Sequence, residues 1–419
     1  MIFIFFLNFA FFLMISVLPI IYLSRYFRLG FLNPLTIPFF IYFPVQIMKV
    51  VGGPAYILEE GLGDVWFNFA LLMTNVELVM QFLLLFLSIK FIRRNYFFKN
   101  ILSYGVKNFR LKKSRMLLCS FLFLFLFFIF FWLLSKKFGL LNWISDPRTG
   151  YQFYRAGAGH WYALSLLFLS SYYAIALLYC RSIFTSLIVF VVAVFLVFLL
   201  GSKGFVLSYL LYFMIVLWYK RSPYLSFGIF FMSPLVFLIM LFNFNPSEIE
   251  DVLKYFDYYV NSAMYYKAYF NGDIDLYYGY LWVTDFYKYI PRVLYESKPF
   301  VYGFLHVNEF FYPGAAEATH TPAFGGPVGI FADFGIVGLI FFSFFDLGYF
   351  FKIVLYYNLF SFCNIFSIRN GSVSFGLFLW LLAPSFLVFF GGFQMLLMFL
   401  FIYLFIIFIN RSSFRFRVV

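Results

Sequence analysis

Apolar residues run without polar interruption for stretches long enough to cross a bilayer, which takes about 20 residues as a helix. Residues 117–134, for example, read LLCSFLFLFLFFIFFWLL. These runs do not alternate with a period of two, so they do not read as barrel strands. A helix satisfies its own backbone within the segment and is the natural spanning element. The pattern predicts about eleven spans, at 2–23, 31–52, 66–89, 116–134, 161–180, 183–200, 205–219, 225–244, 327–350, 373–390 and 392–410. The second is weakened by Pro34, Pro38 and Pro44. Residues before Arg25 carry no charge, so the first run reads as a permanent span rather than a signal peptide with a basic start. The fold class expected is all-α: a polytopic membrane protein with N-terminal spans in 1–244, one large periplasmic loop in 245–324 and C-terminal spans in 325–419.

Composition agrees. The chain is 64% hydrophobic and 11% charged, where a soluble domain carries about 25% charged residues. The 72 phenylalanines fit positions where any large apolar side chain serves, rather than a binding stripe. A net charge of +13 could suggest nucleic acid, but basic residues that collect in cytoplasmic loops account for it more simply. Lys90, Arg93, Arg94, Lys99, Lys107, Arg110, Lys112, Lys113 and Arg115 crowd one loop. Placing that loop inside puts most other basic residues inside as well, with the N-terminus outside and the C-terminus inside. The basic run itself reads as a topology determinant or a contact with anionic lipid. Cys119, Cys180 and Cys363 have no disulfide or metal spacing. His160, His306 and His320 are scattered, so no metal is expected. There is no Walker loop and no pair of matching inverted halves. Glu77 and Asp346, both in spans, read as helix contacts.

The outward polar residues therefore carry the chemistry. The stretch 251-DVLKYFDYYVNSAMYYKAYF-270 has apolar and aromatic residues at helical spacing, which places it along the membrane surface. Its tyrosines suit an interfacial belt and leave room for sugar contacts. In 291-PRVLYESKP-299, Arg292 and Lys298 each stand beside a proline that restricts the chain. Two such cations suit a phosphate or pyrophosphate. Arg148, Arg155 and Lys203 are further cations on the same side. In 317-EATHTPAFGGPVGIFADFGIVG-338, Gly325 and Gly326 permit close approach. Pro327 is placed to begin a helix, whose first amides form an anion site. His320 and Glu317 are candidate acid–base groups. Asp333 lies about two turns into a span and needs a partner or a polar cavity; Lys203 is a partner by topology.

Three segments together resemble the O-antigen polymerase family: 201-GSKGF-205 between two spans, 289-YIPRVLYESKPFVYG-303 in the large loop, and 324-FGGPVGIFADFGIVG-338 leading into the next span. Lys203 stands where many members have Arg. The resemblance implies a membrane glycosyltransferase of the bacterial inner membrane, acting at the periplasmic face on undecaprenyl-diphosphate-linked repeat units in polysaccharide biosynthesis. It implies neither metal nor nucleotide sugar, and a chain-length regulator as a partner. Lys203, Arg292, Lys298, Arg148, Arg155, Gly325 and Gly326 would then hold the diphosphate, with His320, Glu317 and Asp333 as the catalytic candidates. An O-antigen ligase shares the architecture; its loss would leave bare core rather than core bearing one repeat unit. A lipid-linked oligosaccharide flippase would gather its charges in a central cavity, and an acyltransferase would need a deep cytoplasm-accessible His.

Overall fold

The structure is a computed structural model that describes residues 1–26, 36–100, 113–151, 158–180, 182–201, 203–219, 256–290, 294–317 and 321–351, with Ile353, Val354, Tyr357, Leu404 and Phe408 beyond them. Every regular element among the described residues is helical. The main ones are α1 (Ile2–Tyr26), α2 (Thr36–Ile57), α3 (Val65–Arg94), α4 (Lys113–Ser135), α5 (Gly159–Tyr179), α6 (Ile183–Phe198), α7 (Lys203–Tyr219), α8 (Tyr258–Asn271), α9 (Tyr280–Thr284), α10 (Leu305–Phe311) and α11 (Val328–Phe344). Helices α1 to α7 and α11 fall on predicted spans, with their ends moved by a few residues. The spans predicted at 225–244, 373–390 and 392–410 lie outside the described residues, save for Leu404 and Phe408. Among the described residues, four helices are long and apolar enough to cross a membrane: Ile2–Tyr26, Val65–Arg94, Arg115–Ser135 and Val328–Phe351. Helix α6 is apolar but shorter.

The chain divides into two compact units, Met1–Asn95 with Ser233–Val354, and Tyr96–Met232 with Leu355–Val419. In the first, α3 is the axis, with α1, α8 and α11 packed on it. Its start is fixed by Asp64, whose carboxylate accepts the Phe67 N–H at 2.6 Å. Such a cap contributes about 1 kcal/mol. Asn75 ties α3 to α1 by donating to the Asn8 carbonyl at 3.0 Å. The core joins Phe5 and Phe12 of α1, Phe67 and Leu71 of α3, Tyr259, Tyr265 and Tyr266 of α8, and Phe331 and Leu339 of α11.

The sequence expects α8 along the membrane surface; in the structure Tyr259, Val260, Asn261, Ser262, Ala263, Tyr265, Tyr266 and Ala268 are all buried within the protein. Burial on this scale exceeds the single stripe that an interfacial helix hides. Tyr266 sets its ring edge-on to Phe69 at 5.0 Å and to Phe331 at 4.9 Å, while Trp66 stacks on Phe270 at 5.3 Å. Tyrosine is amphipathic, so its spacing fits an interface and a protein core equally well. The helix stops at Gly272, which is left-handed with φ 81° and returns the Asp273 N–H to the Ala268 carbonyl at 2.9 Å.

In the second unit α5 packs against α4, α6 and α7. Tyr173 stacks on Tyr209 at 4.7 Å and donates to its carbonyl at 3.0 Å. Buried Trp143 donates its indole N–H to the Leu199 carbonyl at 2.7 Å. That bond lays segment 143–151 against the turn between α6 and α7.

Candidate functional site

Helix α11 is interrupted. Gly335 has φ 62° and ψ −163° inside an otherwise helical run, a backbone region essentially open only to glycine. A break of this kind takes the usual donors from the carbonyls just before it. Ala332 is there, and its carbonyl accepts the N–H of Tyr277, from a distant loop, at 2.8 Å. The loop fits the break closely. Gly279, with φ 88°, passes so near Phe334 that a Cβ would lie 3.3 Å from the ring, and Leu276 rests on Gly335.

Asp333 completes the joint. Its side chain is buried, and its two oxygens accept the N–H groups of Leu281 at 2.9 Å and Trp282 at 2.7 Å. The acid thus sits at the start of α9, where amides point outward and negative charge is favoured. Backbone amides satisfy a carboxylate that the sequence had matched with a cation. Each oxygen accepts one backbone N–H, so Asp333 ties the start of α9 to α11.

From α9 the chain continues as a 3₁₀ turn, Asp285–Tyr289, in which Lys288 pairs with Asp285. The Gly303 N–H donates to Thr284 Oγ1 at 2.9 Å. Lys298 is 8% exposed. Its ammonium donates to the Ile290 carbonyl at 3.1 Å and lies 4.6 Å over the Tyr302 ring. A lysine is rarely so buried unless its charge is matched. It links Ile290 to Tyr302. Arg292 itself, like His320 and Arg155, lies outside the described residues.

The glycines admit protein rather than open space. Gly325 donates its N–H to the Tyr258 carbonyl at 2.7 Å, and its own carbonyl accepts from Ser262 at 2.7 Å. A Cβ on it would stand 2.9 Å from the Tyr259 ring. Gly326, with φ 66°, is pressed on Thr74 of α3. The amide of Gly325 is therefore engaged by α8. Pro327 is the residue before α11 rather than its first turn. Glu317 is exposed in a turn, with its N–H donating to the Gly314 carbonyl at 3.2 Å. In the second unit, Gly201 (φ 71°) packs on the Pro147 carbonyl, so the turns that carry Arg148 and Lys203 adjoin. The Arg148 guanidinium lies 5.6 Å over the Tyr151 ring, and Lys203 opens α7.

The sequence ranks His306 below His320 as an acid–base group, and its place in the joint follows only from the fold. His306 of α10 lies 4.9 Å from the Tyr280 ring and 6.4 Å from Tyr277. Its Nε2 is buried with no hydrogen-bond partner among the described residues, and burial holds its pKa below the ordinary imidazole value. Burial likewise pushes the Tyr259 phenol up to about 12. Open aromatics lie on and around α9: Tyr278 is 81% and Trp282 74% exposed, and Phe286 is exposed too. Gly279 and Gly335, each a glycine amid large apolar residues, were the available signals for this joint.

A stretch of 234 residues, 54% of the chain, is 28% identical to two curated proteins named O-antigen polymerase, one from Salmonella typhimurium (strain LT2) and one from Salmonella typhi. The match takes in 56% of each of them, so the chain spans about half the length of the curated relatives it matches. No protein-family model matches the chain. No solved structure matches it either.

Proposed function

We propose that this chain polymerises undecaprenyl-diphosphate-linked oligosaccharide repeat units into O-antigen or a related surface polysaccharide, as a multi-pass glycosyltransferase at the periplasmic face of the bacterial inner membrane. The observation that carries the proposal is the 28% identity over 234 residues to two proteins named O-antigen polymerase. The topology goes with it: about eleven spans, the basic 90–115 loop inside, and the loop 245–324 outside between the spans of 1–244 and those of 325–419.

In the proposed reaction, a terminal sugar hydroxyl of a new repeat unit attacks the anomeric carbon of the growing chain. A glycosidic C–O bond forms and the C–O bond to the lipid diphosphate breaks. The hydroxyl proton passes to a base, and undecaprenyl diphosphate leaves. His320 and Glu317 are the proposed bases. Arg292, Lys203, Arg148 and Arg155 are proposed to stabilise charge on the leaving diphosphate. Lys298 acts with them by steadying the backbone at Ile290, two residues before Arg292. Asp333, Gly325 and Gly326 hold the loop against α11, α8 and α3. Backbone that is not helical at membrane depth is tolerated where protein buries it or where it borders a cavity, and broken helices are a usual place for such sites. The open rings of Tyr278, Trp282 and Phe286 beside the joint suit stacking on sugar faces.

Substitution tests the assignment in cells. Arg292→Ala and Lys298→Ala should each replace the polymer ladder with core bearing single repeat units, while the protein remains inserted. Normal ladders from stably inserted variants would contradict it. Bare core would indicate a ligase instead.

A further inference from the structure

The far end of α3 carries a second site, independent of the glycosyl-transfer proposal. A cavity of about 440 Å³ opens there, lined by Tyr22 and Tyr26 of α1 and by Phe86, Lys90, Arg93 and Arg94 of α3. The three cations are spaced i, i+3 and i+4, so they share one face of the helix. All three are exposed, and no carboxylate forms an ion pair with them among the described residues. The wall is aromatic: Tyr22 stacks on Tyr26 at 6.1 Å and meets Phe86 at 5.7 Å, while the Arg93 guanidinium lies 5.1 Å over the Tyr26 ring. That last contact preorganises Arg93 toward the cavity.

Position identifies the ligand class. The span read at 66–89 ends where Lys90 begins, and basic residues close that end of α3, so this reading sets the cavity at the membrane interface opposite the start of α3. Its volume falls in the range of small-ligand pockets, roughly 300–1,000 Å³. Cations at one end and an apolar ring wall at the other match an anion joined to an acyl chain. A basic end on α3 could serve the helix dipole alone, but the dipole does not call for an aromatic-walled cavity on a neighbouring helix. We propose that this cavity binds the phosphate headgroup of an anionic phospholipid, clamped by Lys90, Arg93 and Arg94 and flanked by Tyr22, Tyr26 and Phe86.

The test is native mass spectrometry of the purified full-length chain in detergent, with phosphatidylglycerol and phosphatidylcholine of matched acyl chains at equal concentration. Wild type should retain phosphatidylglycerol over phosphatidylcholine by at least about fivefold. The double variant Arg93→Gln/Arg94→Gln should lose that preference, while Lys99→Gln, which removes a charge outside the cavity, should keep it. Arg93→Lys/Arg94→Lys retains the charges and should keep part of it, which guards against a folding defect in the neutral variant. Equal retention of both lipids by wild type would overturn the proposal. So would an equal loss in Lys99→Gln, which would mean diffuse attraction, or displacement of the lipid by inorganic phosphate at the same concentration, which would mean a site for a free anion.

Discussion

The N–H of Tyr277 donates to the carbonyl of Ala332 at 2.8 Å, joining the large loop to a helix at the point where that helix is broken. Three residues on, the break itself is Gly335. Between them, Asp333 receives the amides of Leu281 and Trp282. Chain of low sequence proximity is thus held by backbone groups and one carboxylate, and each part of the joint can be tested separately.

Asp333→Ala removes the acceptor for two amides. Hydrogen bonds to a charged group contribute about 1.5–3 kcal/mol each, so the start of α9 should loosen by roughly that amount or more. Hydrogen exchange should rise at Leu281 and Trp282, and Asp333→Asn, which keeps one acceptor oxygen, should fall between. A catalytic base would behave differently: Asp333→Asn would abolish polymer with exchange unchanged.

Gly335→Ala forces a Cβ into a backbone conformation that costs about 1–3 kcal/mol for residues other than glycine. The helix should straighten at the expense of the Tyr277–Ala332 bond. Thermal unfolding in detergent should show a lower midpoint, with faster exchange at Tyr277. An unchanged midpoint would mean that the break is not fixed by glycine.

Helices α1 to α7 were readable in the sequence because unbroken apolar runs leave a helix no competitor in a bilayer. The joint was not. In 330-IFADFGIVG-338 the glycines fit an uninterrupted span as well as a broken one, and Asp333 called for a partner without saying which. A cation on the same face was the natural expectation, but amides at a helix start fill that role as well. The burial of α8 was not legible for a related reason, since tyrosine spacing alone does not separate a membrane interface from a core built of Tyr259, Tyr265 and Tyr266. The sequence offers Arg148 and Lys203 as separate cations; that their turns adjoin depends on Trp143 with Leu199 and Gly201 with Pro147, contacts that span too much sequence to be seen locally.

Acid should weaken the loop through His306. Its folded pKa lies below the ordinary value because burial disfavours the charged ring. The unfolded chain therefore binds the proton first, and stability is full above the unfolded pKa of about 6.5 and declines as pH falls below it. Protection across α10, taken relative to the intrinsic exchange rate at each pH, should fall from pH 7 to pH 5, and His306→Phe should flatten that dependence. Protection that rose on acidification would indicate an imidazole stabilised as the cation.

Tyr266 offers a test with the opposite sign. Its ring packs on Phe69 and Phe331, but its hydroxyl is buried with no partner among the described residues. An unmet buried hydroxyl costs about 1–3 kcal/mol. Tyr266→Phe keeps the packing and removes that cost, so the thermal midpoint should hold or rise. A clear fall would reveal a hydrogen bond to that oxygen.

The proposed activity is the joining of lipid-linked repeat units by one polypeptide. Its most direct measurement is reconstitution of the purified chain in liposomes with a single defined undecaprenyl-diphosphate-linked repeat unit, with no other enzyme added, followed by separation of the products by size. Polymerisation predicts a ladder of chains that differ by one repeat unit, with undecaprenyl diphosphate released in step, and loss of both in Arg292→Ala. Repeat units that remain single in the presence of stable, inserted wild-type protein would contradict it.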